Sequence, residues 1–157
     1  PALLDRLTDH EPHLRTERPD AVFVNESRLR EAVLRDLGWL LNARDAWDHV
    51  EMEGLEHVQR SVINYGMPPL AGQLLSELDW SHVERSIRES ILAFEPRILP
   101  KTLAVTLLAS TEQLNHHNTL QFEIRCQFWS MPYPLELLLK TSLDLETGQV
   151  SLQNLRA

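Results

Sequence analysis

This sequence predicts an α+β fold, with helices first and an antiparallel sheet after them, and three observations predict it. Apolar residues recur at a period near 3.6 up to residue 95, the period falls to 2 beyond residue 100, and Glu95-Pro96-Arg97 stands at the changeover. A period of 3.6 lays one apolar stripe along a helix, and a period of 2 lays one apolar face along a strand. Helices gathered before strands, instead of alternating with them, mark N-terminal helices packed on one face of a C-terminal antiparallel meander of three to four strands.

The length of 157 residues fits one domain with room for a real core. The expected organisation is an N-terminal arm over residues 1–24 and a single α+β domain over 25–157, with its helical part at 25–95 and its sheet part at 101–153.

The first helix is read in "SRLREAVLRDLGWLLNAR", with Ser27 as N-cap and Leu29, Val33, Leu37, Leu40 and Leu41 along one stripe. A shorter second helix fits "GLEHVQRSVINYG", where Leu55, Val58 and Val62 share a face and Gly66 supplies the stop. Met67-Pro68-Pro69 turns the chain, and a brief helical turn is read over Ala71 to Leu75. The third helix begins at Asp79, a good cap, and carries Trp80, Val83, Ile87 and Ile91 on one face.

Strands follow Pro96. "TLAVTLLA" makes the first, with Leu103, Val105 and Leu107 inward. "TLQFEIRCQFW" alternates Leu120, Phe122, Ile124, Cys126 and Phe128 with Gln121, Glu123, Arg125 and Gln127, the pattern of a half-buried strand. "LELLLKTSLDL" puts Leu135, Leu137, Leu139, Leu143 and Leu145 on one face. Glu146-Thr147-Gly148-Gln149 is a tight-turn signal that leads into a short fourth strand at Val150 and Leu152.

Composition narrows the function classes. A formal charge of −8 argues against a nucleic-acid partner, which calls for a basic face. Arg28, Arg30 and Arg35 do cluster, but Glu26, Glu31 and Asp36 interleave with them as on a solvated, ion-paired helix face. No apolar run reaches the ~18 residues of a membrane span, and no secretory signal pattern is read, so direct membrane insertion is not expected. A single cysteine, Cys126, permits no internal disulfide and suits a reducing, cytoplasmic setting.

Candidate chemistry is sparse. His116-His117 lies in the polar stretch "NHHN", and adjacent residues point apart in extended chain, so the pair does not form a metal site by itself. Cys126 falls on the apolar side of its strand, the place of an unreactive thiol. There is no nucleophile elbow, phosphate-cradling loop or dinucleotide fingerprint among the five glycines. No catalytic residue, metal ligand or cofactor is assigned, and no enzyme activity is expected.

The stretch at the changeover stands apart. Proline pushes Glu95 towards an extended conformation, in which residues i and i+2 project to the same side. Glu95 and Arg97 then stand together across a backbone fixed by Pro96. Two readings stay open: a self-satisfied surface ion pair, or a rigid two-charge recognition element. The nearby guanidinium argues against Glu95 as the protonated acid of a lysozyme-like site.

"LLDRL", "LRDLGWLLNAR", "SVINYGMPPL", "ILAFEPRI" and "ETGQV" follow one another in an order that resembles the TssE family, wedge components of the type VI secretion baseplate, with relatives in contractile-tailed phages. The resemblance spans roughly residues 3 to 150. It implies a structural, non-catalytic role beside the wedge components TssF, TssG and TssK, in a cytoplasmic baseplate at the inner face of the cytoplasmic membrane. It also implies contact with the sheath subunits TssB and TssC by strand exchange, where the contractile sheath starts. Glu95, Pro96 and Arg97 match the family's signature, which docks on the helical core of the wedge. Rival roles for such a fold are an anti-adaptor that binds a response-regulator-like protein and a peptidoglycan-cleaving enzyme. Met67 and Pro69 depart from the family pattern, which commonly has leucine and an acidic residue there.

Overall fold

A four-stranded antiparallel sheet with helices on one face forms the computed structural model, which describes residues 3–8, 12, 13, 15, 16, 25–45, 54–68, 79–108 and 119–155. The elements in chain order are α1 (Leu3–Leu7), α2 (Glu26–Asn42), α3 (Glu56–Gln59), α4 (Trp80–Phe94), β1 (Ala104–Leu107), β2 (Thr119–Phe128), β3 (Leu135–Asp144) and β4 (Val150–Asn154). The α+β class and the order of its parts are those that the two periodicities predict.

Helix α2 starts two residues earlier than its sequence suggests. Asn25 is the cap: its backbone is extended and its side-chain oxygen accepts the Arg28 N–H at 2.8 Å. Ser27 is already helical and donates its hydroxyl to the same oxygen. Val33, Leu37, Leu40 and Leu41 are buried along the predicted stripe. The cap of α4 is Asp79 as expected, accepting from the backbone N–H groups of Ser81 and His82. Val83, Ile87 and Ile91, one turn apart, are buried beneath the sheet.

The segment between these helices differs from the predicted single helix. α3 is one short turn with no buried residue, followed by a 3-10 turn over Val62–Asn64. Leu55 and Val62 are exposed instead of sharing a packed face. The break has a local cause: the Val58 carbonyl accepts from the Ser61 N–H, the Ser61 hydroxyl and the Asn64 side-chain amide, so it is used up closing a turn. The chain then runs through Gly66, at φ +137°, into a bridge pairing Met67 with Arg44. The helical turn read at Ala71–Leu75, Pro69 and the histidine pair lie outside the described residues, as does most of the N-terminal arm.

In the sheet, β1-β2-β3-β4 are neighbours in sequence order, a plain meander. The register sets Phe122 opposite Thr141, Ile124 opposite Leu139, Cys126 opposite Leu137 and Phe128 opposite Leu135. One face of β2 and β3 is thereby apolar and buried, and α2 and α4 lie side by side against it, α4 under β1 and α2 under β4. At the last turn the Asp144 carboxylate accepts from the backbone N–H groups of Glu146 and Thr147, which holds it below the usual carboxylate range, and Gly148 takes φ +71°.

Both outer strands carry a helix side chain on their edge. The Leu107 N–H of β1 donates to Glu84 Oε1 of α4 at 2.6 Å. On β4, Asn42 of α2 accepts the Val150 N–H and donates to the Val150 carbonyl, both at 2.9 Å. Long unpaired edges template unwanted pairing, and polar side chains laid on them are one way to blunt that.

Two glycines separate backbone demand from mere tolerance. A Cβ on Gly66 would come within 2.5 Å of the Ala43 carbonyl oxygen, on a backbone that L side chains rarely adopt. A Cβ on Gly38, in the middle of α2, would meet Leu152 at an ordinary 3.6 Å. Gly66→Ala is expected to cost at least roughly 2 kcal/mol, whereas Gly38→Ala is expected to be neutral or to stabilise by up to about 1 kcal/mol. Urea unfolding of the two variants checks both signs.

Candidate functional site at the helix to sheet junction

Helix α4 cannot continue past Phe94, because Pro96 has no N–H and restricts the residue before it. Glu95 accordingly leaves helical geometry, at φ −118° and ψ 81°, while its N–H still closes onto the Ile91 carbonyl. Its side chain then folds over the turn. Oε1 accepts the backbone N–H of Arg97 at 3.1 Å and Nε at 2.7 Å, and Oε2 accepts Nη2 at 2.5 Å. Carboxylate and guanidinium meet fork to fork, an arrangement that fixes direction as well as charge.

The two side chains stand together as residues i and i+2 of an extended segment should, but not as a surface pair. Glu95 is only 4% exposed. Burying a carboxylate is costly unless it is paired and hydrogen-bonded, and Arg97 supplies both. The hydrogen bonds to Glu95, and after them those to Asp36, raise the affinity of the Arg97 guanidinium for its proton against the opposing effect of burial. Arg97 remains a fixed cation.

A residue that sequence reasoning placed on a solvated face completes the site. Asp36 of α2 accepts Arg97 Nη2 at 2.5 Å with one oxygen and Arg35 Nε at 2.9 Å with the other. Arg35 in turn donates Nη1 to Asp5 of α1 at 2.5 Å and lies over the Trp39 ring at 5.0 Å. Asp5, Arg35, Asp36, Arg97 and Glu95 thus alternate in sign along one continuous chain that ties α1 and α2 to the junction. Tyr65 stands beside it, its ring edge-on to Phe94 at 5.4 Å, and burial followed by the charges of Asp36 and Glu95 pushes its hydroxyl's pKa up. Asp36 directly precedes buried Leu37, so its place at the margin of the apolar stripe was the one sequence signal for it.

Arg30 also departs from the solvated-face reading. Its guanidinium donates to the Glu136 carbonyl at 2.6 Å and lies over the Phe128 ring at 5.8 Å. Cys126 is buried, as its alternation predicts. A hollow on the outer face of the sheet is lined by Thr102, Arg125, Gln127, Glu136 and Leu138, groups of mixed sign with one carboxylate among them. No group of histidine, cysteine and acidic side chains able to hold a metal ion occurs among the described residues. No described helix is long and apolar enough to cross a membrane.

The junction, α2 from its second residue, α3, α4 and the first two strands fall within residues 27–133, which match the family model of the baseplate wedge protein gp25, while α1 lies before them. The chain belongs to the gp25 baseplate wedge family. That match bears out the family resemblance and takes in three of the five motifs read from the sequence, "LRDLGWLLNAR", "SVINYGMPPL" and "ILAFEPRI", and the family supports a structural role in a baseplate. Comparison with curated proteins and with solved structures gave no match.

Two outcomes are expected of the gp25-family junction and core. Glu95→Ala takes away a buried charged partner and should cost roughly 1.5–3 kcal/mol, with Asp36→Asn costing less because Glu95 still holds Arg97; thermal unfolding ranks the two. Burial, and secondly the charge of Glu95, pushes the Cys126 thiol from its ordinary value of 9.0 up to about 12. The fold therefore favours the protonated thiol, and that stabilisation is complete below 9.0 and lost as pH rises through about 12. Thiol labelling at about pH 8 should be slow in the folded protein and fast in urea, and Cys126→Ala should lessen the alkaline loss of stability.

Proposed function

We propose that this protein is a non-enzymatic wedge component of a type VI secretion baseplate, or of a closely similar contractile machine, and that Glu95, Pro96 and Arg97 dock it on the wedge core. The observation that carries the reading is the orientation of Arg97. Glu95 and Asp36 engage its Nε and Nη2, its Nη1 is buried and has no hydrogen-bond partner among the described residues, the side chain as a whole remains 21% exposed, and Pro96 beside it is exposed. Such a cation is presented in one geometry and loses little freedom on binding. Glu95 is too deeply buried to be touched by a partner, so it serves as the positioning residue of the motif. Both of its oxygens are engaged by Arg97, which leaves no free general acid at the junction and favours a role without catalysis.

In this reading the chain assembles with TssF, TssG and TssK in the cytoplasm, at the inner face of the cytoplasmic membrane, and anchors the first sheath subunits, TssB and TssC. Strand exchange with the sheath uses the β4 edge, an outer strand of the sheet that begins at Val150, where Asn42 meets it, and runs on to Asn154. Membership of the gp25 family supports the baseplate role.

The test is sheath assembly in cells followed by fluorescence microscopy, beside purification of each variant. Arg97→Ala and Glu95→Ala are both expected to give folded protein with a lowered melting temperature, the larger drop for Arg97→Ala because it leaves the buried Glu95 carboxylate unpaired, and no sheaths. Normal sheaths in cells carrying Arg97→Ala would refute the docking role.

A further inference from the structure

The turn that joins β2 to β3 carries three large apolar side chains in the open: Trp129 at 59%, Met131 at 76% and Tyr133 at 76% exposure. Burying a side chain of this size ordinarily gains roughly 1.5–3 kcal/mol, and isolated exposed apolar residues are common, but three of them within five positions of one turn are a concentration of the kind that marks an interaction surface. The base of the turn is anchored. Phe128 and Leu135 close the strand pair beneath it, and the Trp129 N–H donates to the carbonyl of Arg97 at 2.7 Å. Ile98 bridges Phe128, and the Leu99 N–H donates to Gln127 at 2.8 Å. Pro132 and Pro134 further limit the backbone. The apolar tip is therefore fixed to the same backbone that displays Pro96 and Arg97.

A cation sits at its base. Arg30 is held by the Glu136 carbonyl and the Phe128 ring, and no carboxylate pairs with it among the described residues. Arg97 and Arg35, in contrast, each have two carboxylates. Tryptophan, tyrosine, methionine and arginine are the residues that interface centres favour.

We infer that the docking surface extends from Pro96 and Arg97 onto this turn, and that the occupant is a segment of a neighbouring baseplate component with apolar side chains next to a carboxylate. The apolar side chains cover Trp129, Met131 and Tyr133, and the carboxylate meets Arg30. Among the described residues Arg30 has no carboxylate partner, unlike Arg35 and Arg97, and a cation without one at the base of an apolar turn suits an acidic occupant. This inference rests on the docking role proposed above and assigns that role a second, separable contact.

Affinity of the purified full chain for the co-expressed TssF–TssG wedge complex tests it. The double variant Trp129→Ala/Tyr133→Ala should bind at least ~30-fold more weakly, the effect of losing one strong anchor. Arg30→Glu should weaken binding by about tenfold or more and Arg30→Lys by much less, the signature of an acidic neighbour. Melting temperatures near that of the unaltered protein would exclude misfolding, because all three side chains of the turn are exposed. Unchanged affinity of the double variant, alongside lost affinity of Arg97→Ala, overturns this inference and leaves the docking role standing. No binding by the unaltered chain overturns both. Loss of self-association in place of wedge binding, seen by analytical ultracentrifugation, would make the turn a contact between copies and also overturns it.

Discussion

A buried carboxylate at the end of a helix sets the terms for this structure. Glu95 sits where the α4 dipole disfavours an anion and where water does not reach, so it is stable there only with a cation in contact. Arg97 is that cation, and Pro96 between them stops the helix and sets the backbone so that the two side chains meet. Everything downstream inherits the arrangement. The chain leaves the junction in the direction that lets Ile98 bridge Phe128, and Leu99 pair with Gln127, which aligns the incoming segment with the end of β2. Through Asp36 the same guanidinium fixes α2 against the junction, so one side chain helps position helix, turn and sheet.

This explains why the site has an unusual economy of charge. Five charged residues are strung from α1 to the junction, and the ion pairs that join them to one another are not the i,i+4 contacts expected on a solvated helix. Such a chain of charges contributes modestly to net stability, since desolvation offsets much of the attraction. Its stronger effect is on specificity, because only one packing of α1, α2 and the α4 end satisfies all the partners at once. The partly exposed members of the chain are thereby held in place by one buried carboxylate, Glu95.

Much of this was legible in the sequence, because alternation and helical periodicity are direct consequences of burial on one side. The strands β2 and β3, the stripes of α2 and α4, the Asp79 cap and the proximity of Glu95 to Arg97 all follow from that geometry. Depth was not legible: i,i+2 spacing in an extended turn puts two charges side by side but does not say whether the sheet will cover them. Nor was Asp36, whose partner lies 61 positions away and is chosen by the packing of two helices. The region from Leu55 to Gly66 misled for a different reason. Its apolar spacing suits a helix, but hydroxyl and amide side chains at Ser61 and Asn64 compete for the carbonyl that continuation would need.

The asparagine laid along β4 has a consequence for how a neighbour would be accepted. The Asn42 side chain offers Val150 one acceptor and one donor, the same pair that a peptide group of an incoming strand would offer. Displacing it exchanges two hydrogen bonds for two, so the first step of strand addition is close to thermoneutral and the gain comes only with the residues added after it. A lone strand meeting only this end of β4 wins nothing, while one long enough to run the length of the edge does. The amide acts as a placeholder that a full-length guest can evict and a short, accidental one cannot.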